Sequence, residues 1–140
     1  MIQFFFEEIE PISISTDISK WLEQIILSEH KKVGKINYIF CDDEYLLKIN
    51  QEHLQHDYYT DIITFDYVRG NTISGDIFVS LERIKDNAST LSKDYQSEFL
   101  RVLAHGVLHL CGYKDKTEED IKTMRGKEDF YLNKTTLAPR

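Results

Sequence analysis

Apolar residues recur along the chain in two different periods, and each change of period marks a new element. Ile2-Gln3-Phe4-Phe5-Phe6 is a short apolar run closed by Glu7 and Glu8, which predicts a strand. The period then lengthens. Ile18, Trp21, Leu22, Ile25 and Ile26 fall on one face of a helix that Thr16 can cap and that is expected to end near Gly34. Ile36, Tyr38 and Phe40 alternate, so Ile36 to Cys41 reads as a second strand. Asp42 caps a helix carrying Tyr45, Leu46, Ile49 and His53. Asp61 to Phe65 and Gly75 to Ser80 predict two more strands, joined by a turn around Arg69-Gly70-Asn71. Helical spacing returns from Leu81 to Leu91 and again through Leu110. Thr117, with Asp120 three residues on, opens a last helix with Ile121 and Met124 on its inner face. The expected architecture is α+β: a small mixed four-stranded sheet covered by about five helices, in a single domain over residues 1–140.

Composition narrows the class. A chain of 140 residues, 41% hydrophobic, suffices for one core that buries roughly 68–70% of the unfolded surface. Cys41 and Cys111 are too few for a disulfide framework, and neither a secretory pattern nor a long apolar span is evident. The expectation is a reduced, cytoplasmic protein with no membrane segment. The net charge of -7 argues against a protein that coats nucleic acid, since phosphate binding needs local cations. It leaves room for a small enzyme with a locally positive cleft, because a bound cation would itself focus the field.

The candidate chemistry lies in Arg101 to Asp115, RVLAHGVLHLCGYKD. His105 and His109 are four apart, so on a helix they share one face. The run around them is apolar on nearly every side, and two desolvated imidazoles there call for a compensating cation. Gly112 suits the left-handed residue that ends a helix. Asp115 would then come round as a third ligand, leaving one coordination position for water, the mark of a catalytic zinc site. Cys111 points away from the histidine face and is expected to pack.

With these motifs placed, the chain resembles the YbeY family of ribosomal RNA maturation endoribonucleases. His105 to Tyr113, HGVLHLCGY, is similar to the family's H-G-x-L-H-L-x-G-Y-D-H run. Thr60 to Phe65 looks like its T-D-V-L-S-F strand, and Gly75-Asp76-Ile77 like its G-D-I strand. The resemblance implies a metal-dependent, single-strand-specific endoribonuclease that matures the 3′ end of 16S ribosomal RNA and serves ribosome quality control. Its partners would be single-stranded RNA and the small subunit, with no DNA and no membrane. Two departures bear on the transfer. Lys114-Asp115 stands where the family has D-H, so the third ligand is a carboxylate, which favours harder divalent ions more than a third imidazole would. An arginine that the family directs at substrate aligns with Leu54.

The spacing also fits a metzincin-like metallopeptidase, but the glutamate of H-E-x-x-H is here Gly106. A ribosome-associated binding factor with a structural metal is the other alternative. Asp61 and Asp76 read as strand-end or turn residues, and no catalytic or substrate-binding residue is assigned. His53 and His56 read as exposed non-ligands, Tyr58 and Tyr59 as packing or loop anchors, and Lys31, Lys32 and Lys127 as solvated charges.

Overall fold

The computed structural model describes residues 1–55 and 59–138. Among them the order is β1 (Ile2–Phe6), α1 (Thr16–Ser28), β2 (Lys32–Cys41), α2 (Asp43–Leu54), β3 (Ile62–Asp66), β4 (Thr72–Ser80), α3 (Leu81–Thr90), α4 (Tyr95–Leu110) and α5 (Glu118–Asn133). The sheet runs β1-β2-β4-β3, with β1–β2 and β2–β4 parallel and β3–β4 antiparallel. The parallel pair β1–β2 follows from the helical crossover α1, and the antiparallel pair from the turn at Gly70, whose φ is 57°. This is the expected mixed sheet with five helices, its first half alternating strand with helix.

Strand alternation decides which face carries the core. Ile36, Tyr38 and Phe40 of β2 and Ile77 and Val79 of β4 are fully buried, in one cluster with Leu22, Ile25 and Ile26 of α1 and Leu103, Val107 and Leu108 of α4. Each such side chain contributes roughly 1.5–3 kcal/mol on burial. A smaller cluster of Cys41, Leu46, Ile49 and Ile63, edged by Tyr45, Phe65 and Phe78, joins α2 to the sheet. Burial and the neighbouring Asp42, Asp43 and Glu7 push the Cys41 thiol up to about 12.

α4 is the central helix. The Tyr38 hydroxyl donates to the Leu103 carbonyl at 2.6 Å, tying α4 to the middle of the sheet. Gly106 permits the close approach: a Cβ there would meet Ile77 and Ile62 methyl groups at 3.1–3.2 Å.

Three expectations are corrected. α1 is capped by Ser15, whose side chain accepts from Asp17 N–H, and it stops at Ser28 rather than near Gly34. His30 then takes φ 62°, and the chain enters β2, where Gly34 sits at a bulge so crowded that a Cβ would lie 2.3 Å from Ser74 Oγ. Ile121 is 46% exposed, because the buried stripe of α5 centres on Met124, Glu128 and Tyr131 and leaves Ile121 at its margin. The capping box of Thr117 and Asp120 forms as expected.

Candidate metal centre

Between Phe99 and Leu110, every residue of α4 is buried except Arg101, His105 and His109, which recur every fourth position. This stripe lines a cleft of about 660 Å³, joined by the end of α2, by Thr60 to Thr64, by Asp115 and Lys116 and by Arg125 and Glu128 of α5.

His105 has a partner on each side of its ring. Nδ1 lies 2.8 Å from Glu128 Oε2, and Nε2 lies 3.4 Å from Asp115 Oδ2. An ionised carboxylate only accepts, so Nδ1 carries a proton, and in its neutral form the ring presents a lone pair at Nε2. Glu128 is itself held, its Oε1 accepting from Arg101 Nη1 at 2.9 Å, while Arg101 Nη2 donates to Asp129 at 2.6 Å. Burial opposes charging His105, yet the Glu128 hydrogen bond and the charges of Glu128, Asp115 and Asp61 outweigh it and raise its pKa.

The bend that delivers Asp115 is encoded locally. Gly112 adopts φ 115°, with its N–H bonded to the His109 carbonyl at 3.0 Å and Tyr113 N–H to the Leu108 carbonyl at 3.2 Å. This is the Schellman ending, which an L side chain at Gly112 would strain. Tyr113 is then anchored: its hydroxyl donates to Glu29 Oε1 at 2.6 Å, and Glu29 Oε2 accepts from Tyr131 and from Lys127, the latter at 3.1 Å. Burial alone would raise the Glu29 pKa, but the Tyr113, Tyr131 and Lys127 hydrogen bonds lower it. Lys127 is therefore not the solvated charge its sequence context suggests.

His105, His109 and Asp115 all line the one cleft. Among the described residues, no three His, Cys, Asp or Glu side chains are placed so that they could hold a metal ion together as they stand. The donors nevertheless suit a divalent ion. His105 Nε2 and Asp115 Oδ2 are both acceptors in the neutral-imidazole form, and 3.4 Å is too long for a good hydrogen bond between them. It is close to the edge of about 3.3 Å expected between ligands of a tetrahedral zinc with bonds of roughly 2.0–2.1 Å. His109 follows one turn along the stripe, and closure is left to side-chain rotation within the cleft.

The two strand aspartates part company. Asp76 accepts from Asn37 Nδ2 at 3.0 Å across the β2–β4 pair, in line with a structural role. Asp61 stands at the bend leading into β3, where its backbone carbonyl ends the β3–β4 pairing by accepting from Ser80 N–H, as a strand-end residue would, and it also lines the cleft. Burial raises the Asp61 pKa against the lowering effect of His105.

Leu54 also lines the cleft and is 40% exposed. His53 is exposed, edge-on to the Phe65 ring at 5.9 Å; His56 and Tyr58 lie outside the described residues. Tyr59 is a loop anchor, donating to Glu44 at 2.8 Å with the Arg83 guanidinium over its ring. Cys111 packs beside the core, as expected. Glu128, Arg101 and buried Glu98 were not picked out from sequence. Only the four-residue recurrence of Arg101 with the histidines could have signalled one of them.

The endoribonuclease YbeY family model matches residues 5–136. The chain belongs to that family. A YbeY endoribonuclease of Flavobacterium johnsoniae is 56% identical over 129 residues, covering 92% of this chain and 93% of its own. One from Parabacteroides distasonis is 46% identical over 132 residues, 94% and 93% of the two chains. A Thermotoga maritima protein solved in solution superposes with a TM-score of 0.66 at 26% identity, over 95% of this chain and 87% of that one. Among the described residues, no helix is long and apolar enough to cross a membrane.

Proposed function

We propose that the protein is a cytoplasmic, metal-dependent, single-strand-specific endoribonuclease that acts in 16S ribosomal RNA 3′-end maturation and ribosome quality control. The observation that carries the reading is the doubly held His105, its Nδ1 fixed by Glu128 and its Nε2 turned toward Asp115, in a cleft shared with His109. YbeY membership supplies the RNA substrate class.

His105, His109 and Asp115 would hold one divalent ion, most simply zinc. Bound there, such an ion supplies a Lewis acid for a phosphate oxygen and lowers the pKa of water. The protein's own share is orientation and proton transfer. Glu128 and Arg101 hold the His105 ring in the tautomer that offers Nε2, as outer partners of metal-binding histidines do. Asp61 is the carboxyl we assign to accept the proton of the attacking water. Its raised pKa makes it a better base than an ordinary carboxylate.

The peptidase reading loses ground on structure as well as sequence. Ile77 and Ile62 occupy the space beside Gly106, so a glutamate there would be driven into the core. The deciding experiment incubates the zinc-loaded protein with a labelled single-stranded RNA, the same RNA as a duplex, and casein. Cleavage of the single strand alone, abolished by chelator and by His105→Ala/His109→Ala, is expected. RNA left intact while casein is cut would overturn the assignment.

A further inference from the structure

Phosphate binding needs cations that are free to meet it, and four carboxylates line the cleft against three cations, Arg101, Lys116 and Arg125. Arg101 is committed. Both terminal nitrogens of its guanidinium are bonded, one to Glu128 at 2.9 Å and the other to Asp129 at 2.6 Å. Withdrawing it to meet a phosphate would also release Glu128, the carboxylate that steadies His105. Leu54, where the family resemblance places a substrate-facing arginine, offers an aliphatic edge.

Lys116 and Arg125 differ on both counts. They are exposed, they line the cleft, and neither forms a hydrogen bond or ion pair with a described residue. Lys116 follows the Gly112 bend directly after Asp115, and Arg125 lies on α5 one turn before Glu128. Both line the cleft from the segment that runs from the end of α4 into α5, whereas Leu54 ends α2.

We infer that Lys116 and Arg125 are the phosphate-binding residues of this chain, gripping two backbone phosphates of single-stranded RNA from the α5 wall of the cleft in place of a cation at Leu54. The assignment rests on the RNA reading above. It makes the substrate path asymmetric: charge contacts on the α5 side, and apolar contact with sugar or base at Leu54.

The test is the salt dependence of binding of a 5′-fluorescein single-stranded RNA 12-mer to the zinc-loaded protein, followed by anisotropy. Each phosphate contact on a single strand contributes about 0.7 to the slope of log affinity against log salt. K116A/R125A should therefore flatten the slope by about 1.4, so that between 50 and 200 mM salt it loses about sevenfold less affinity than the parent protein. K116R/R125K should keep the parent slope. K20A/K85A removes the same net charge from exposed positions on α1 and α3, outside the cleft, and should also keep it. Zinc content, measured in every variant, should be unchanged. If the parent binds and cleaves RNA while K116A/R125A keeps its slope, or while K20A/K85A flattens it equally, the assignment is overturned. Failure of the parent itself to bind or cleave RNA would instead sink the endoribonuclease reading.

Discussion

Glu128→Gln separates the support of the metal centre from the centre itself. Glu128 is 5% exposed and accepts two donors, Arg101 Nη1 at 2.9 Å on one oxygen and His105 Nδ1 at 2.8 Å on the other. An amide of the same shape has only one acceptor oxygen, so one donor must face an NH2 group. Arg101 keeps Asp129 and some solvent, which limits the structural loss. Leaving one buried donor unpaired costs about 1–3 kcal/mol, the expected fall in unfolding free energy of the metal-free protein. The histidine ring also loses its orienting carboxylate, and outer partners of this kind are worth 10- to 100-fold in metal affinity. Zinc affinity by chelator competition at pH 8, alongside urea unfolding of the metal-free form, reads both effects. Glu128→Asp, one methylene shorter, should recover charge without spanning both donors and so fall between. Parental zinc affinity in Glu128→Gln, with stability lowered, would refute the claim that Glu128 orients His105 for a metal.

Three further outcomes are expected. Asp61→Asn should lower kcat for RNA cleavage by about 10²–10⁴ while zinc content stays the same; a kcat within threefold of the parent would remove Asp61 from proton transfer. Asp115→His should retain zinc and Asp115→Ala should bind it at least tenfold more weakly, as judged by chelator competition; equal affinity across all three forms would exclude Asp115 as a ligand. The folded-state pKa of Glu29 is lowered, so its contribution is present above the unfolded value and is lost as pH falls through the folded value. Glu29→Gln should therefore flatten the acid limb of a stability-against-pH curve relative to the parent, and parallel acid limbs would contradict the Tyr113–Glu29–Tyr131 anchor.

Much of the fold was legible because it rests on local physics. The alternation of Ile36, Tyr38 and Phe40 marks a strand with one buried face, Asp42 and Thr117 cap their helices, and the Gly112 bend follows from a residue tolerant of positive φ. The four-residue spacing of His105 and His109 by itself puts them on one helix face. The end of α1 was misplaced because Gly34 serves a strand bulge against Ser74, a contact 40 residues away that no local pattern encodes.

What tertiary structure alone decided is the company these residues keep. Asp61 and Asp76 look alike as strand residues, but packing puts one beside His105 and the other on Asn37. Glu128 lies 23 positions beyond His105 and reaches it because α5 packs along α4; Lys127, its neighbour, turns instead to Glu29, which caps the end of α1. Sequence fixes which groups have donors, acceptors and charge, since those are properties of the side chain. Which donor meets which acceptor, and which cation is left free for a ligand, depends on the packing of distant segments, and there the chain had to fold before its chemistry could be read.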